Sequence, residues 1–554
     1  MKPNAAIAYS PAGFDTSADR LMGLQAAGEG FLEGFVRHSG VDTLFCYTRA
    51  KPAFDDFVAR TSRVGLNAPA RLIPESRPDL LRRPGCLYLS SPILAPQALR
   101  RATVGTTAYS LCGVTHTLAT TAVMDAIGAY LIAPLEPWDA LICTSSAART
   151  VVNQIIENQA AYLTERVGAK PSPRLELPVI PLGVDCDRFS LGADAARAAW
   201  RSRLGIADRD VVALFVGRLS YHAKANPAPM YLGLEAAVPV LPAGARLHLV
   251  LAGWFANATL ERGFREAGAA LCPSVNLIVV DGRSPEARAG LWHAADLFTS
   301  LSDNIQESFG LTPIEAMAAG LPSVVADWNG YRDTVAHGET GIRVPTYGAP
   351  AGSGPDLAFR YANGIDSYDR FIGGVALCTA VDVRAAGAAY RQLVGDTAFR
   401  RRLGEAGKAR ARRHFDWRVV IAAYQALWAE LAARRTRATA GAPDQALAVP
   451  GVLHDPFSLF AGFASASLSE AHRVAWTVDQ PADAIDRLLA QPIANYAPDV
   501  LLEADACRAL GDEIRGGGGQ EAGALLARQP ADKRGRAIRT LLWFAKFGVI
   551  EIDV

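Results

Sequence analysis

The sequence predicts an α/β protein of two doubly wound domains with a mainly helical extension at its C-terminus. Three observations carry that expectation. Short β-branched and apolar runs alternate with helical patterns in two successive series. Such buried runs are what parallel strands covered on both faces look like. An Ala-, Gly- and Pro-rich stretch then separates the last hundred or so residues from the rest.

The first series opens with "AAIAYS" (5–10) and a helical pattern that places Phe31, Leu32 and Phe35 on one face. The segments "DTLFCYT", "CLYLSSP" and "DALICTS" read as its further strands. The second series runs through "VVALFVG" (211–217), "LHLVLAG", "NLIVVDG", "DLFTSLS" and "PSVVADW". The expected domains are therefore 1–203 and 204–435, the second closing on "FDWRVVIAAYQALWAELAARR". Residues 436–451 read as a linker and 452–554 as a helical extension containing a flexible "GGGG" at 516–519.

The totals exclude several classes. A net charge of +1 argues against an overall electrostatic nucleic-acid binder. The N-terminus has no apolar stretch of signal-peptide length. The most apolar window, "TTAVMDAIGAYLIAPL", is broken by Asp125 and is too short to span a bilayer. A soluble cytoplasmic protein is expected. Eight cysteines are scattered without a Cys-x-x-Cys pair, as expected of buried free thiols rather than zinc or disulfide chemistry.

The chemistry concentrates in "ESFGLTPIE" (307–315). Thr312, Pro313 and Glu315 have the spacing of a capping box with proline at the first helical position. Glu315 is thus expected to hold a helix start, to serve a ligand, or both. Glu307 has no such structural duty. It follows a strand at the carboxyl edge of a parallel sheet, where ligands of open α/β sheets bind. The amides of Ser308, Phe309, Gly310, Leu311 and Thr312 beside a helix N-terminus form an anion cradle. A carboxylate next to an anion site suits the hydroxyls of the same ligand. An anion with hydroxyls on both sides describes a nucleotide-diphosphate sugar. Arg218 and Lys224, in "VGRLSYHAKANP", lie on the loop after the first strand of the second series. Two cations there suit a diphosphate whose charge grows as it leaves.

With these landmarks in order, the chain resembles the family 4 glycosyltransferases, retaining enzymes of the GT-B fold, over roughly residues 1–430. The matching segments are "VIPLGVDCDRF" (179–189), "VGRLS" with Lys224, "HAADLFTSLSD", "ESFGLTPIEAMAAGLPSVVADWNG" and "HGETGIRVP". The resemblance implies that Glu307 contacts donor-sugar hydroxyls, that the "SFGL" amides meet sugar and phosphate, and that Glu315 binds ribose. It gives Arg218 and Lys224 the diphosphate. His116 resembles a cleft histidine near the reaction centre. No cofactor or metal is implied, the nucleotide sugar being a co-substrate, and the acceptor is an unidentified glycan, lipid-linked or small-molecule hydroxyl. The alternatives are a nucleotide-sugar epimerase or phosphorylase on the same architecture, or a non-catalytic nucleotide-sugar sensor.

Two features depart from the family. Many relatives carry Gly-Gly-x-x-Glu after the last cleft strand, where this chain has "WNGYRDTV", with Asn329, Gly330 and Asp333. A long segment, 346–374, replaces a usually short connection. Elsewhere, "TSSAART" (144–150) reads as a Ser-capped helix start without chemistry. The basic helix 399–415 reads as a solvated face, with peripheral contact to an anionic membrane as its functional alternative.

Overall fold

A computed structural model describes residues 2–15, 23–65, 68–189, 193–439 and 454–553. The chain divides into two compact units, Met1–Leu447 and Ala448–Val554.

The larger unit contains two parallel six-stranded sheets. The first is built from β1 (Ala6–Ala8), β2 (Leu44–Thr48), β3 (Ala70–Pro74), β4 (Cys86–Leu89), β5 (Ser110–Val114) and β6 (Ala140–Ile142), in the order β3-β2-β1-β4-β5-β6. The second uses β7 (Val211–Val216), β8 (Leu247–Gly253), β9 (Asn276–Asp281), β10 (Leu297–Ser300), β11 (Ser323–Ala326) and β12 (Gly341–Val344), in the order β12-β11-β10-β7-β8-β9. These are the two Rossmann-like domains expected. Burial explains why their strands read as unbroken apolar runs. Strand β8 is buried at every position, and β7 sends Val212 and Leu214 into one core layer but Val211, Ala213 and Phe215 into the other. Strand direction of growth reverses between β1 and β4 and between β7 and β10, so each sheet has a crevice beyond the carboxyl ends of those strands.

Both expected limits of the second domain shift. Helix Ala193–Leu204 already belongs to it. Trp200 lies in its core, and the buried Arg201 guanidinium donates to the carbonyls of Ala294 (3.1 Å) and Asp210 (2.6 Å). At the other end, helix Trp417–Thr439 leaves the second domain and packs on the first. Trp417, Val420, Ile421, Tyr424, Leu427, Trp428 and Leu431 share a core with Ile7, Phe35 and Tyr88. Gln425 Nε2 pins it to the carbonyls of Pro3 and Ser39 at 3.0 Å each. The apolar stripe of this helix is plain in the sequence, but a stripe does not specify which sheet it covers.

The segment 346–374 is structured. It holds β13 (Thr346–Tyr347), paired antiparallel with β14 (Ala380–Val381), and helices Pro355–Ala362 and Tyr368–Leu377.

The smaller unit is mainly helical, as expected, and adds a small antiparallel sheet. Strands β15 (Arg473–Trp476), β16 (Gln520–Glu521) and β17 (Ile550–Asp553) run in the order β16-β15-β17. Its core gathers Val474, Cys507, Leu510, Leu541 and Phe544. Of the expected linker, residues 436–439 continue the preceding helix, and 440–451 lie outside the described residues. Seven of the eight cysteines are buried as free thiols, Cys378 alone being exposed. Among the described residues no helix is long and apolar enough to cross a membrane.

Candidate functional site

The carboxyl edge of the second sheet gathers three loops around its crevice. The loop after β7 carries Arg218 and Lys224, the loop after β10 carries Glu307, and the loop after β11 carries Trp328 and Asn329. Asn304 locks them together: its Nδ2 donates to the His222 carbonyl (2.8 Å), and its own carbonyl accepts from Trp328 Nε1 (3.0 Å). Asn329 Nδ2 donates to the Glu307 carbonyl at 2.6 Å. Asn329 adopts a positive φ of 37°, and a Cβ on Gly330 would stand 2.5 Å from the Phe309 Cα. The "WNG" segment therefore buttresses the glutamate loop from behind, a role its sequence did not disclose. Asp333, the other member of that departure, accepts from the Ser146 amide of the first domain at 2.6 Å.

Lys224 and Glu307 form an ion pair, Lys224 Nζ donating to Glu307 Oε2 with side chains only 21% and 14% exposed. Burial, the largest single influence, lowers the lysine pKa, but the charge and hydrogen bond of Glu307 together with Tyr331 outweigh it and hold the ammonium well above the usual lysine range. Arg218 Nη2 donates to the Ala223 carbonyl (3.0 Å) and to Gln306 Oε1 (2.8 Å). The two cations and Glu307 thus meet at the crevice between β7 and β10.

The helix after the glutamate loop begins two residues earlier than the capping box required. It spans Leu311–Ala318 with Gly310 at its N-cap and no side-chain cap. Thr312 lies inside the helix, so the expectation that Thr312 and Glu315 form a capping box is overturned. Gly310 decides the start: its φ is +89°, and a Cβ there would stand 2.1 Å from the Tyr331 ring. The first turn is left without a side-chain acceptor, which suits an anion. Phe309 is buried in the core, so only its backbone can meet a ligand. The Glu315 carboxylate has no hydrogen-bonding protein partner among the described residues. Burial raises its pKa, and Arg288, Arg188 and Lys224 pull the other way. A half-buried carboxylate without a donor is well suited to accept hydroxyls.

Sequence reasoning missed Asp303 and Tyr331. Asp303 is 3% exposed; burial pushes its carboxyl up to about 7, against a hydrogen bond from the Asn226 amide at 3.3 Å. Tyr331 bonds Ser300 Oγ at 2.8 Å, and burial pushes its phenol up to about 12. Both lie among other polar residues in the sequence and do not stand out there, so only packing reveals them.

The first domain contributes less charge. His116 follows β5, and its Nε2 donates to the Ser90 carbonyl at 3.0 Å. A carbonyl only accepts, so Nε2 carries the proton and Nδ1 keeps its lone pair. Burial lowers the imidazole pKa to about 4, leaving it neutral at physiological pH. Ser145 caps its helix as expected, accepting from Ala148 N, and also donates to the Ser308 carbonyl at 2.7 Å across the domain boundary. The basic segment 399–415 is partly consumed inside the fold. Arg400 donates to the Leu393 and Val394 carbonyls, and Arg410 to those of Thr334 and Asp333. Among the described residues no three His, Cys, Asp or Glu side chains converge as a metal site.

Residues 196–351, the span that carries these loops, match the family described as Glycosyl transferases group 1. In that span the chain resembles a group 1 glycosyltransferase domain. It is 36% identical over 206 residues to a D-inositol 3-phosphate glycosyltransferase of Geodermatophilus obscurus, covering 36% of this chain and 42% of that one. A protein of the same name from Nocardia farcinica is 34% identical over 204 residues, with the same coverages. The chain thus spans less than half the length of these relatives. The Anabaena protein Alr3699/HepE, solved in complex with UDP, superposes with a TM-score of 0.48 at 15% identity, over 78% of this chain and all of that one. The matched span begins inside helix Ala193–Leu204.

Proposed function

We propose that the protein transfers a sugar from a nucleotide-diphosphate sugar to a hydroxyl acceptor, with retention of anomeric configuration. The observation that carries this reading is the buried Lys224–Glu307 pair at the β7–β10 crevice, beside Arg218 and an uncapped helix start. In the free protein the ammonium and carboxylate neutralise each other. A bound diphosphate sugar offers each a better partner: phosphate oxygens for Lys224 and Arg218, sugar hydroxyls for Glu307. Glu315, relieved of capping, accepts the ribose hydroxyls. The amides from Ser308 to Thr312 face the phosphates.

As the glycosidic bond breaks, charge accumulates on the leaving diphosphate, and the two cations stabilise it more than they stabilise the bound donor. The acceptor hydroxyl attacks the same face, and the leaving phosphate takes its proton. No protein nucleophile is invoked. Glu307 has its oxygen committed to Lys224, unlike the paired acid and nucleophile of a glycosidase. Neutral His116, with Nδ1 as an acceptor, is placed to receive a donor-sugar hydroxyl. The same reading needs no cofactor and assigns the reaction to the cytoplasm. The relatives' name makes a small polyol phosphate such as inositol 3-phosphate the first acceptor to try.

The test is a thermal-shift screen against UDP-, GDP-, ADP- and CMP-linked sugars, followed by transfer assays with the stabilising donor. A folded-state ligand at 100 times its Kd stabilises by about 2.7 kcal/mol. The expected outcome is one donor base that shifts the melt and supports transfer, the product anomer matching the donor. No shift with any nucleotide sugar would defeat the reading.

A further inference from the structure

The segment 346–374 has no part in the function so far, yet its second helix touches both domains beside the crevice. The Tyr368 hydroxyl stands between Gln306 Nε2, at 3.0 Å, and Thr117 Oγ1, at 3.2 Å. Gln306 is in turn the residue whose Oε1 accepts from Arg218 Nη2 at 2.8 Å. Thr117 immediately follows His116. A continuous hydrogen-bonded chain therefore runs Arg218–Gln306–Tyr368–Thr117, from one sheet edge to the other.

The chain is directional. A guanidinium only donates, so the Gln306 oxygen must face Arg218 and its amide nitrogen must face the phenol. That nitrogen donates to the Tyr368 oxygen, and between the phenol and Thr117 Oγ1 either hydroxyl supplies the proton. Reversing the Gln306 amide would set two donors against each other. The surroundings hold the phenol in place. Tyr361 stacks on Phe371 with ring centroids 4.5 Å apart and planes 7° from parallel, and its hydroxyl accepts from the Thr121 amide at 3.4 Å. Ala119 of the first domain, Ala223 of the loop after β7 and Ile372 form a small buried apolar cluster, with Ile305, Tyr368 and Phe371 packed against it.

We propose that Tyr368 is a positioning residue that ties the diphosphate-binding arginine to the His116 loop, the 346–374 segment acting as a strap across the crevice. The proposal rests on the donor-site reading above. Tyr368 reaches no reacting atom in this account. It acts through Gln306, which aims Arg218, and through Thr117, which fixes the distance of the first domain's loop.

Two measurements on the full chain separate this proposal from the reading it rests on. The first needs no ligand. Tyr368→Phe keeps the ring in its apolar cluster and removes only the hydroxyl. Amide hydrogen exchange is expected to rise together in residues 115–121 and 304–307. A rise confined to the variant's own helix, 368–377, would overturn the strap. The second is titration with whichever of UDP, GDP or ADP stabilises the parent most. Tyr368→Phe is expected to weaken binding about three- to tenfold, the worth of one neutral hydrogen bond. It should add nothing in an Arg218→Ala background. Tyr361→Phe, which does not reach Arg218, should bind like the parent. Parent-like binding by Tyr368→Phe, with binding weakened by Arg218→Ala, would overturn the proposal and leave the donor reading standing. Parent-like binding by Arg218→Ala would instead remove the arginine from the donor site, and the exchange result alone would then decide the strap.

Discussion

The two sheet edges that line the crevice are built on opposite principles. The edge of the second sheet is charged and largely paired internally: Lys224 with Glu307, Arg218 with Gln306, while the half-buried Glu315 carboxylate has no hydrogen-bond donor among the described residues. On the edge of the first sheet the candidate group is neutral, Asp15 and Glu75 there being paired with Arg60 and Arg100. That group, His116, is held uncharged by burial, and Ser145 and Thr117 bond across to the second domain. The difference teaches how labour divides in the proposed reaction. A diphosphate needs fixed charge in a partly dry site, and that charge must be compensated while the site is free. An acceptor that brings only hydroxyls needs shape and lone pairs.

The comparison breaks first at Lys224. Its contact strengthens as the diphosphate departs, so Lys224→Ala is expected to slow transfer by about two to three orders of magnitude. The rate with the identified donor and acceptor measures it. An unchanged rate would make the charged edge a structural ion pair.

Glu315 gives a smaller, two-sided effect. Its pKa is raised in the folded protein by burial, so the folded state prefers the protonated acid. Stability is then lost as pH climbs through the ordinary glutamate range toward the raised folded value, and the cost is fully present above that. Glu315→Gln is therefore expected to raise the melting temperature at neutral pH, with the gain vanishing in acid. It should also weaken nucleoside diphosphate binding about tenfold, through the lost charge-assisted ribose contact. A lower melting temperature at neutral pH would show instead that the charged carboxylate stabilises the fold.

The neutral histidine predicts an absence of titration. With the His116 pKa at about 4, kcat should show no imidazole step between pH 5 and 8. His116→Ala should reduce transfer about tenfold without creating or removing such a step. A step near pH 6.5 that disappears in His116→Ala would show the imidazole to be charged in the working enzyme. Smallest of all, ending the chain at Leu447, the boundary between the two compact units, is expected to leave nucleoside diphosphate affinity unchanged. A much weaker site would give the C-terminal unit a share in the crevice.

What could be read in the sequence follows the same division. Buried parallel strands announce themselves, because β2, β4, β5 and β8 must be apolar on both faces. Glu307, Arg218 and Lys224 are legible because they lie on loops after strands at the carboxyl edge of a parallel sheet, where ligands of open α/β sheets bind. The start of helix Leu311–Ala318 was misjudged because Thr312 and Glu315 satisfied a local capping pattern, whereas close packing of Gly310 on Tyr331 sets the actual start. The place of helix Trp417–Thr439 was misjudged because its apolar stripe suits either sheet. The roles of Gln306, Asn329 and Tyr368 are not legible for a further reason: each acts only through a neighbour distant in sequence.

The central claim is that Glu307 serves the sugar while its lysine partner serves the phosphates. Glu307→Gln tests it most directly, through paired titrations with nucleoside diphosphate and with the corresponding nucleotide sugar, alongside the transfer rate. The substitution keeps the shape, removes the countercharge of Lys224 and removes the charge-assisted acceptor for sugar hydroxyls. The account predicts nucleoside diphosphate binding as tight as the parent's or tighter, nucleotide-sugar binding with no added affinity from the sugar, and transfer slowed by about a hundredfold. Transfer at the parent rate, or loss of nucleoside diphosphate binding with the sugar's contribution intact, would contradict it.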